Sequence, residues 1–424
     1  MSPQQIDELV RDMVFGADAK TKQSQIREMA YANGLFFASI QNLYDAMGKK
    51  YGGFTVPAVN VRGITFDFSR AVFRAAMKNQ VGAFVFEIAR SEMGYTKQTP
   101  GEFATAIIAA GLAEGYKGPV FIQCDHCQVN SKSYDDNPEK ETTAIKNLIQ
   151  EAVNAGFYNI DIDASTMVDM SKTDLVEQQE ANGRLTAEFT KYIRSIEPKG
   201  VTISVGGEIG EIGHSNSTVE DLRAYMQQYR KYLPKGMKGI SKISVQTGTT
   251  HGGIVLKDGS IAKVQLDFDT LEKLSKLARD EYGMGGAVQH GASTLPDDMF
   301  DLFPKKGTME VHLATGFQNI IFDSASFPKP LLDKINAGLF VKYPGDRKQD
   351  QTDVQFYYLT RKRAFGDFKK EIWDIPQETL DKICGEIEER FAFFFKKLNV
   401  IGTDKLVNKL VKKNYPNTNI KKTT

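Results

Sequence analysis

Pro119-Val120-Phe121-Ile122-Gln123-Cys124-Asp125-His126 is an apolar, β-type run that ends in a carboxylate and an imidazole. After it, Glu141 to Phe157 carries Ala144, Leu148, Ala152 and Ala155 at helical spacing, and a second β-type run extends from Asn159 to Ser165. Strand, helix, strand in that order is the pattern of a parallel βαβ unit. The alternation continues in both directions, with further β-type runs at Val56 to Val61, Val81 to Ala89, Val201 to Gly210, Ile243 to Gly252, Ala287 to Ser293 and Met309 to Thr315. Eight such strand and helix pairs predict an α/β protein closed as a (β/α)8 TIM barrel. An open sheet of that size needs a switch-point connection, and nothing in the sequence marks one.

The barrel is expected over residues 51–330, between two extensions. Residues 1–50 hold two helical patterns, Pro3 to Val14 and Lys22 to Met47, and read as an N-terminal helical extension. Residues 331–424 read as a C-terminal helical extension, with a helix from Gln377 to Leu398 and a Lys-rich tail from Lys405 that is best taken as a solvated end. Ser217-Thr218-Val219-Glu220 before Leu222 has capping-box spacing and predicts a helix start. Hydrophobic residues at 41% and charged residues at 25% of 424 are ordinary for a globular chain, and a net charge of +1 points to no nucleic-acid or membrane partner. No apolar run approaches the roughly 18 residues of a membrane helix. The N-terminus lacks a basic-then-apolar secretory start, so a cytoplasmic protein is expected. Three cysteines cannot make a disulfide framework, and reduced thiols are the expectation.

Of five histidines, three fall where strands end: His126, His251 in Thr-Thr-His-Gly-Gly, and His290 in Val-Gln-His-Gly-Ala-Ser. One such residue is more often a hydrogen-bonded rim histidine. Three at equivalent ends of different strands converge on the C-terminal mouth of a barrel, where active sites lie and where a divalent metal would find its ligands. His214 and His312 are not assigned to the metal. Asp125 precedes His126, so in an extended strand the two side chains take opposite faces unless the strand breaks there. Asp163 and Glu208 end their strands and are candidate oxygen ligands or acid/base groups, with loop capping as the plainer role. Gly252, Gly291 and Ser293 would let backbone N–H groups approach an anion, although glycine serves a tight turn equally well. Cys124 and Cys127 form a C-x-x-C spacing that lacks a second pair, and Gly207-x-x-Gly210-x-x-Gly213 lacks dinucleotide-loop spacing.

The ordered set Asp125-His126, Asp163-x-Ser165, Gly-Glu208-Ile-Gly, Thr-His251-Gly and His290-Gly-Ala-Ser293, followed by a strand ending in Ala-Thr315, resembles the class II fructose- and tagatose-bisphosphate aldolases from about Val56 to Phe327. The resemblance implies that His126, His251 and His290 bind a catalytic Zn2+ and that Asp125 is the proton-transferring acid/base. It implies alternative metal placements at Glu208 and Asp163, a monovalent cation as a further candidate, and a phosphate site at Gly252, Gly291, Ser293 and Thr315. The substrate implied is a phosphorylated sugar, cleaved reversibly to dihydroxyacetone phosphate and an aldehyde by a homo-oligomer. By the same similarity, basic residues in Gly345-Asp346-Arg347-Lys348 or Arg361-Lys362-Arg363 are candidates for the distal phosphate.

Two departures from the family pattern bear on the substrate. His312 stands where the family usually has an Asn contacting the dihydroxyacetone portion, and Gly213-His214-Ser215-Asn216-Ser217 replaces the acidic loop after the fifth strand. A competing reading is a non-catalytic barrel subunit that stabilises a partner aldolase, but such a scaffold needs no metal triad. A metal-dependent hydrolase barrel would carry His-x-His at the end of the first strand, where this chain has Asn60-Val61-Arg62. The sequence does not distinguish fructose from tagatose stereochemistry.

Overall fold

The structure, a computed structural model, describes residues 1–210, 215–248, 255–258, 260, 262 and 266–413. Its centre is a ring of parallel strands: β1 (Val56–Asn60), β2 (Val85–Ala89), β3 (Ile122–Gln128), β4 (Asn159–Asp163), β5 (Ser204–Glu208), β6 (Lys242–Val245), β7 (Ala287–Gln289) and β8 (Glu310–Leu313). β8 pairs with β1, Glu310 opposite Val56 and Leu313 opposite Val59, so the sheet closes without an edge. Helices surround it, which makes it the (β/α)8 barrel predicted from the alternation. Strands covered on both faces read as continuous apolar runs, and every residue of β1, β2, β4, β6, β7 and β8 is buried.

Inside the ring the side chains are polar. Lys242 lies 2.8 Å from Asp161 and donates to Gln123 Oε1 at 2.7 Å, and it also pairs with Glu310. Gln123 in turn donates to Glu87 at 2.8 Å and to Glu310 at 3.2 Å. Gln123, Asp161, Lys242 and Glu310 are spaced by two from the mouth residues Asp125, Asp163, Ser244 and His312, as strand periodicity requires for one face. Gly206 on β5 makes the cluster possible, because a Cβ there would sit 2.3 Å from Asp161 Oδ1. Below it, Tyr44 on the helix Gln41–Lys49 is fully buried and donates to Glu310, closing the floor of the barrel.

Four local readings are corrected. The helix expected over Lys22 to Met47 is two helices, Ala19–Ala32 and Gln41–Lys49. Asn33 caps the first, Gly34 turns the chain at φ +88, and Leu35–Phe37 then pairs in parallel with Gly118–Val120. The helix Pro138–Ala155 buries Ile145, Ile149, Ala152 and Val153, a stripe one residue over from Ala144 and Leu148. The capping box is Thr218 with Asp221, one residue later than read, because Ser217 is engaged by Gln246, whose N–H it accepts at 2.9 Å. The start of the Lys-rich tail is not simply solvated, since Asp404–Leu410 is a helix with Val407 buried.

The long helix Gln377–Lys397 lies against the helix Thr65–Lys78 and the β8 helix Thr315–Asp323. Phe391 stacks on Phe317 at 4.4 Å and meets Phe68 edge-on at 6.0 Å. Past that helix, Leu398 accepts the Thr55 N–H at 2.9 Å, at the entrance to β1. Among the described residues, no helix is long and apolar enough to cross a membrane.

Candidate metal and active site

β3 does not run straight through its Asp-His pair. Cys124 pairs with Ile160 and Cys127 with Ile162, so the strand gains one residue over β4, and His126 takes φ +40. A bulge of this kind re-aims side chains. Asp125 and His126 therefore reach one cavity, with Asp125 Oδ1 3.6 Å from His126 Nε2, where an unbroken strand would separate them. Cys124 and Cys127, at a Cα separation of 6.3 Å, are joined as a disulfide across the bulge. The expectation of reduced thiols there is thus corrected: the extra residue brings the two side chains together within ordinary disulfide reach.

His126 Nδ1 lies 3.0 Å from Asp163 Oδ2 and 3.0 Å from Glu208 Oε2. His290, just beyond β7, directs Nε2 to Ser244 Oγ at 2.9 Å. The remaining nitrogens, His126 Nε2 and His290 Nδ1, face one another at 2.7 Å. With a cation bound, such outer-shell carboxylate and hydroxyl partners would fix the tautomer of both histidines and leave lone pairs turned inward. Such a donor set fits a divalent cation, with Asp125 beside it. His126, Asp163 and Glu208 form a second possible grouping around the other ring nitrogen. His251, Gly252 and His214 lie outside the described residues.

The electrostatics follow from burial competing with charge. Burial would raise Asp125, but His126 and His312 hold its carboxyl well below the ordinary range. Burial would likewise lower His126, yet Asp125 and Glu208 raise it well above the usual imidazole value. Glu208 is pushed up to about 6, first by burial and then by Asp163. Asp163, despite its burial, is lowered by its hydrogen bond with His126.

The cavity above these groups has a volume of about 660 Å³, and Asp125, His126, His290, Gly291, Ser293, His312 and Thr315 all line it. Gly291 takes φ +67 as the chain leaves β7, and Ser293 Oγ accepts the Gly316 N–H at 3.0 Å. Thr315 opens the helix Thr315–Asp323, and helix N-termini favour anions. Across the mouth, Arg62 donates to Glu92 at 2.6 Å, to Gln318 at 3.0 Å and to Thr315 at 3.3 Å. Within Arg361-Lys362-Arg363, the outer arginines pair with Asp323 and Asp346, whereas Lys362 lines the cavity. Burial, and then the neighbouring Arg62, lower the Lys362 ammonium. Arg347 pairs with Asp353 at 2.7 Å.

A family model described as fructose-bisphosphate aldolase class-II matches residues 41–365. The chain belongs to this family. This aldolase-family chain is 24% identical over 210 residues to the fructose-bisphosphate aldolase of Giardia intestinalis, a match covering 45% of this chain and 58% of that relative's length. The crystal structure of fructose-bisphosphate aldolase from Campylobacter jejuni superposes with a TM-score of 0.53 at 18% identity, covering 87% of this chain and 97% of that one. A probable tagatose 6 phosphate kinase from Sinorhizobium meliloti gives a TM-score of 0.55 at 14% identity, covering 82% and 98%. At such identities the structural likeness is one of fold.

Several residues of this aldolase-family site were not singled out from sequence: Asn60, Arg62, Glu87, Glu92, Asp161, Lys242 and Glu310. The signal was available, since Glu87, Asp161, Lys242 and Glu310 are charges set among apolar strand residues. A charge there must face a polar interior.

Proposed function

We propose that this chain is a metal-dependent ketose-bisphosphate aldolase. It would cleave fructose 1,6-bisphosphate or tagatose 1,6-bisphosphate to dihydroxyacetone phosphate and glyceraldehyde 3-phosphate. The observation that carries this is the convergence of His126 and His290, their inward nitrogens 2.7 Å apart, beside the ionised Asp125 in one cavity. His126 and His290, joined by His251 on family precedent, would hold a divalent cation, zinc by the same precedent, which would supply Lewis-acid stabilisation of the negative charge developing on the ketose.

The chain's own groups account for the remaining steps. Asp125 takes the C4 hydroxyl proton as the C3–C4 bond breaks, and the bonding pair passes to C3 and is delocalised onto the C2 oxygen. Delivery of a proton to C3 then completes dihydroxyacetone phosphate, and in the condensation direction Asp125 returns its proton to the C4 oxygen. Asn60, donating to Asp125 Oδ2 at 2.9 Å, holds the carboxylate in place. Gly291, Ser293 and Thr315 take the phosphate next to the ketone, with Gly252 joining them by family precedent. Lys362 and Arg62 take the distal one, and the His312 ring lines the cavity beside the dihydroxyacetone portion.

The test is cleavage of both bisphosphates by purified protein before and after chelation, with Zn2+ restored afterwards. Chelator-sensitive turnover of one epimer is expected, and His290→Ala should lose both metal and activity. Full metal content with no turnover of either sugar would move the chain to the scaffold reading.

A further inference from the structure

Beside the histidine pair, and reaching deeper into the barrel at Glu87, a second set of donors meets. Glu87 comes from the middle of β2, Asp125 from the β3 bulge and His312 from β8. His312 Nδ1 lies 3.1 Å from Glu87 Oε1 and 3.3 Å from Asp125 Oδ1, and the three donor atoms are within 4.8 Å of one another. All three residues are more than nine-tenths buried, at 0%, 4% and 3% exposure for Glu87, Asp125 and His312.

What distinguishes this set is how each residue divides its polar atoms. Glu87 Oε2 accepts from Gln123 at 2.8 Å, and Asp125 Oδ2 accepts from Asn60 at 2.9 Å. His312 Nε2 meets Glu310 Oε1 at 2.7 Å. Glu310 also receives Lys242 and Tyr44, so it is an acceptor, and Nε2 carries the hydrogen. Each residue is thus tied outward by one atom. The other atoms, Glu87 Oε1, Asp125 Oδ1 and His312 Nδ1, are buried, turned toward a common centre, and make no hydrogen bond among the described residues. Their approaches at 3.1 and 3.3 Å are within ion-pair range without the alignment of an N–H···O bond.

With His312 Nδ1 unprotonated, three buried acceptors would face one another, which costs far more than pairing them. A cation relieves all three at once. For bonds of about 2.1 Å, neighbouring ligands sit about 3.0 Å apart in an octahedron and about 3.4 Å apart in a tetrahedron. The observed separations fall between those edges. The Nε2–H to carboxylate bond is the outer support expected of a metal-binding imidazole. The charge inventory agrees: Glu87, Asp125, Asp161 and Glu310 are four buried carboxylates with Lys242 as the one buried ammonium among them.

We infer that Glu87, Asp125 and His312 form a second divalent-cation site, adjoining the histidine site and sharing Asp125 with it. One imidazole and two carboxylates suit Zn2+ or Mn2+ better than Mg2+ or Ca2+, which take oxygen ligands alone. The site does not depend on which sugar, or any sugar, is cleaved. It also gives a physical reason for a histidine on β8 in place of an amide, because imidazole is the better ligand.

The experiment is metal counting on the full chain, stripped with chelator, reloaded with Zn2+ and freed of excess by gel filtration. About two equivalents are expected in the wild type and about one in Glu87→Gln. His126→Ala should keep the equivalent at Glu87. Loaded with Mn2+, the wild type should show an exchange-coupled electron paramagnetic resonance spectrum, replaced in Glu87→Gln by the six lines of an isolated ion. A single equivalent in the wild type that Glu87→Gln retains would overturn the inference and leave His312 as an imidazolium between two carboxylates. Two equivalents untouched by Glu87→Gln would overturn it as well, by placing the second ion elsewhere. Should Glu87→Gln fail to fold, His312→Asn serves in its place, and two equivalents retained there would overturn the inference.

Discussion

His126 holds a backbone conformation, φ +40, that side-chain-bearing residues seldom adopt. The conformation puts two adjacent residues to work in one cavity. Strand periodicity predicts opposite faces for Asp125 and His126, and the extra residue in β3 cancels that prediction. Asp125 is consequently buried yet ionised, held so by His126 and His312 against the cost of desolvation. Asp125→Asn is isosteric and should leave the cation at His126 and His290 in place while cutting kcat by about 10²–10⁴-fold, the usual range for general acid/base groups. A coupled assay with metal analysis on the same sample checks it, and wild-type kcat in that variant would remove Asp125 from proton transfer.

Among the elements, the C-terminal segment reaches both the mouth and the flank of the barrel. The turn Arg361–Arg363 presents Lys362 to the cavity beside Arg62. A charge-assisted contact to phosphate contributes about 1.5–3 kcal/mol, so Lys362→Met should raise KM for the ketose 1,6-bisphosphate about 10- to 100-fold. KM for the ketose 1-phosphate should stay as it is; equal losses on both substrates would show that Lys362 does not meet the distal group. On the flank, Asp67 in the first turn of Thr65–Lys78 accepts from Gln377 at 3.2 Å, and burial pushes its carboxyl up to about 6. A folded-state value above the unfolded one means the native state holds the proton more tightly. Its contribution to stability is full below about pH 4 and disappears as pH rises through about 6, a change of at most about 3 kcal/mol. Asp67→Asn should therefore be more stable than wild type at pH 7.5, with an advantage only about a third as large at pH 4.5. Melting curves at the two pH values test this, and an equal difference at both would refute it.

At the scale of the whole molecule, the flanking segments and the barrel are tied together. Tyr44 reaches up from the N-terminal segment to Glu310 in the barrel floor. Arg11 donates to the Trp373 carbonyl at 2.6 Å, and Phe15 packs edge-on against Trp373 at 5.7 Å, joining the two ends of the chain. Trp373 is the single tryptophan, so its fluorescence reports on that junction. Urea transitions followed by Trp373 fluorescence and by far-UV circular dichroism are expected to coincide. Tyr44→Phe, which leaves a buried carboxylate short of one donor, should lower both by about 1–3 kcal/mol. Two separate transitions would show that the ends unfold on their own. The barrel was legible in the sequence because parallel strands covered on both faces leave apolar runs between amphipathic helices, a local pattern that needs no coordinates. The order of His126, His290, Asp125, Asp163 and Glu208 at strand ends was legible for the same reason. Only the tertiary structure decided which atoms meet. The bulge in β3, the Lys242 cluster, the floor supplied by Tyr44 and the approach of Lys362 to Arg62 all join residues remote in the chain. Their geometry depends on barrel closure, which no local run of residues encodes.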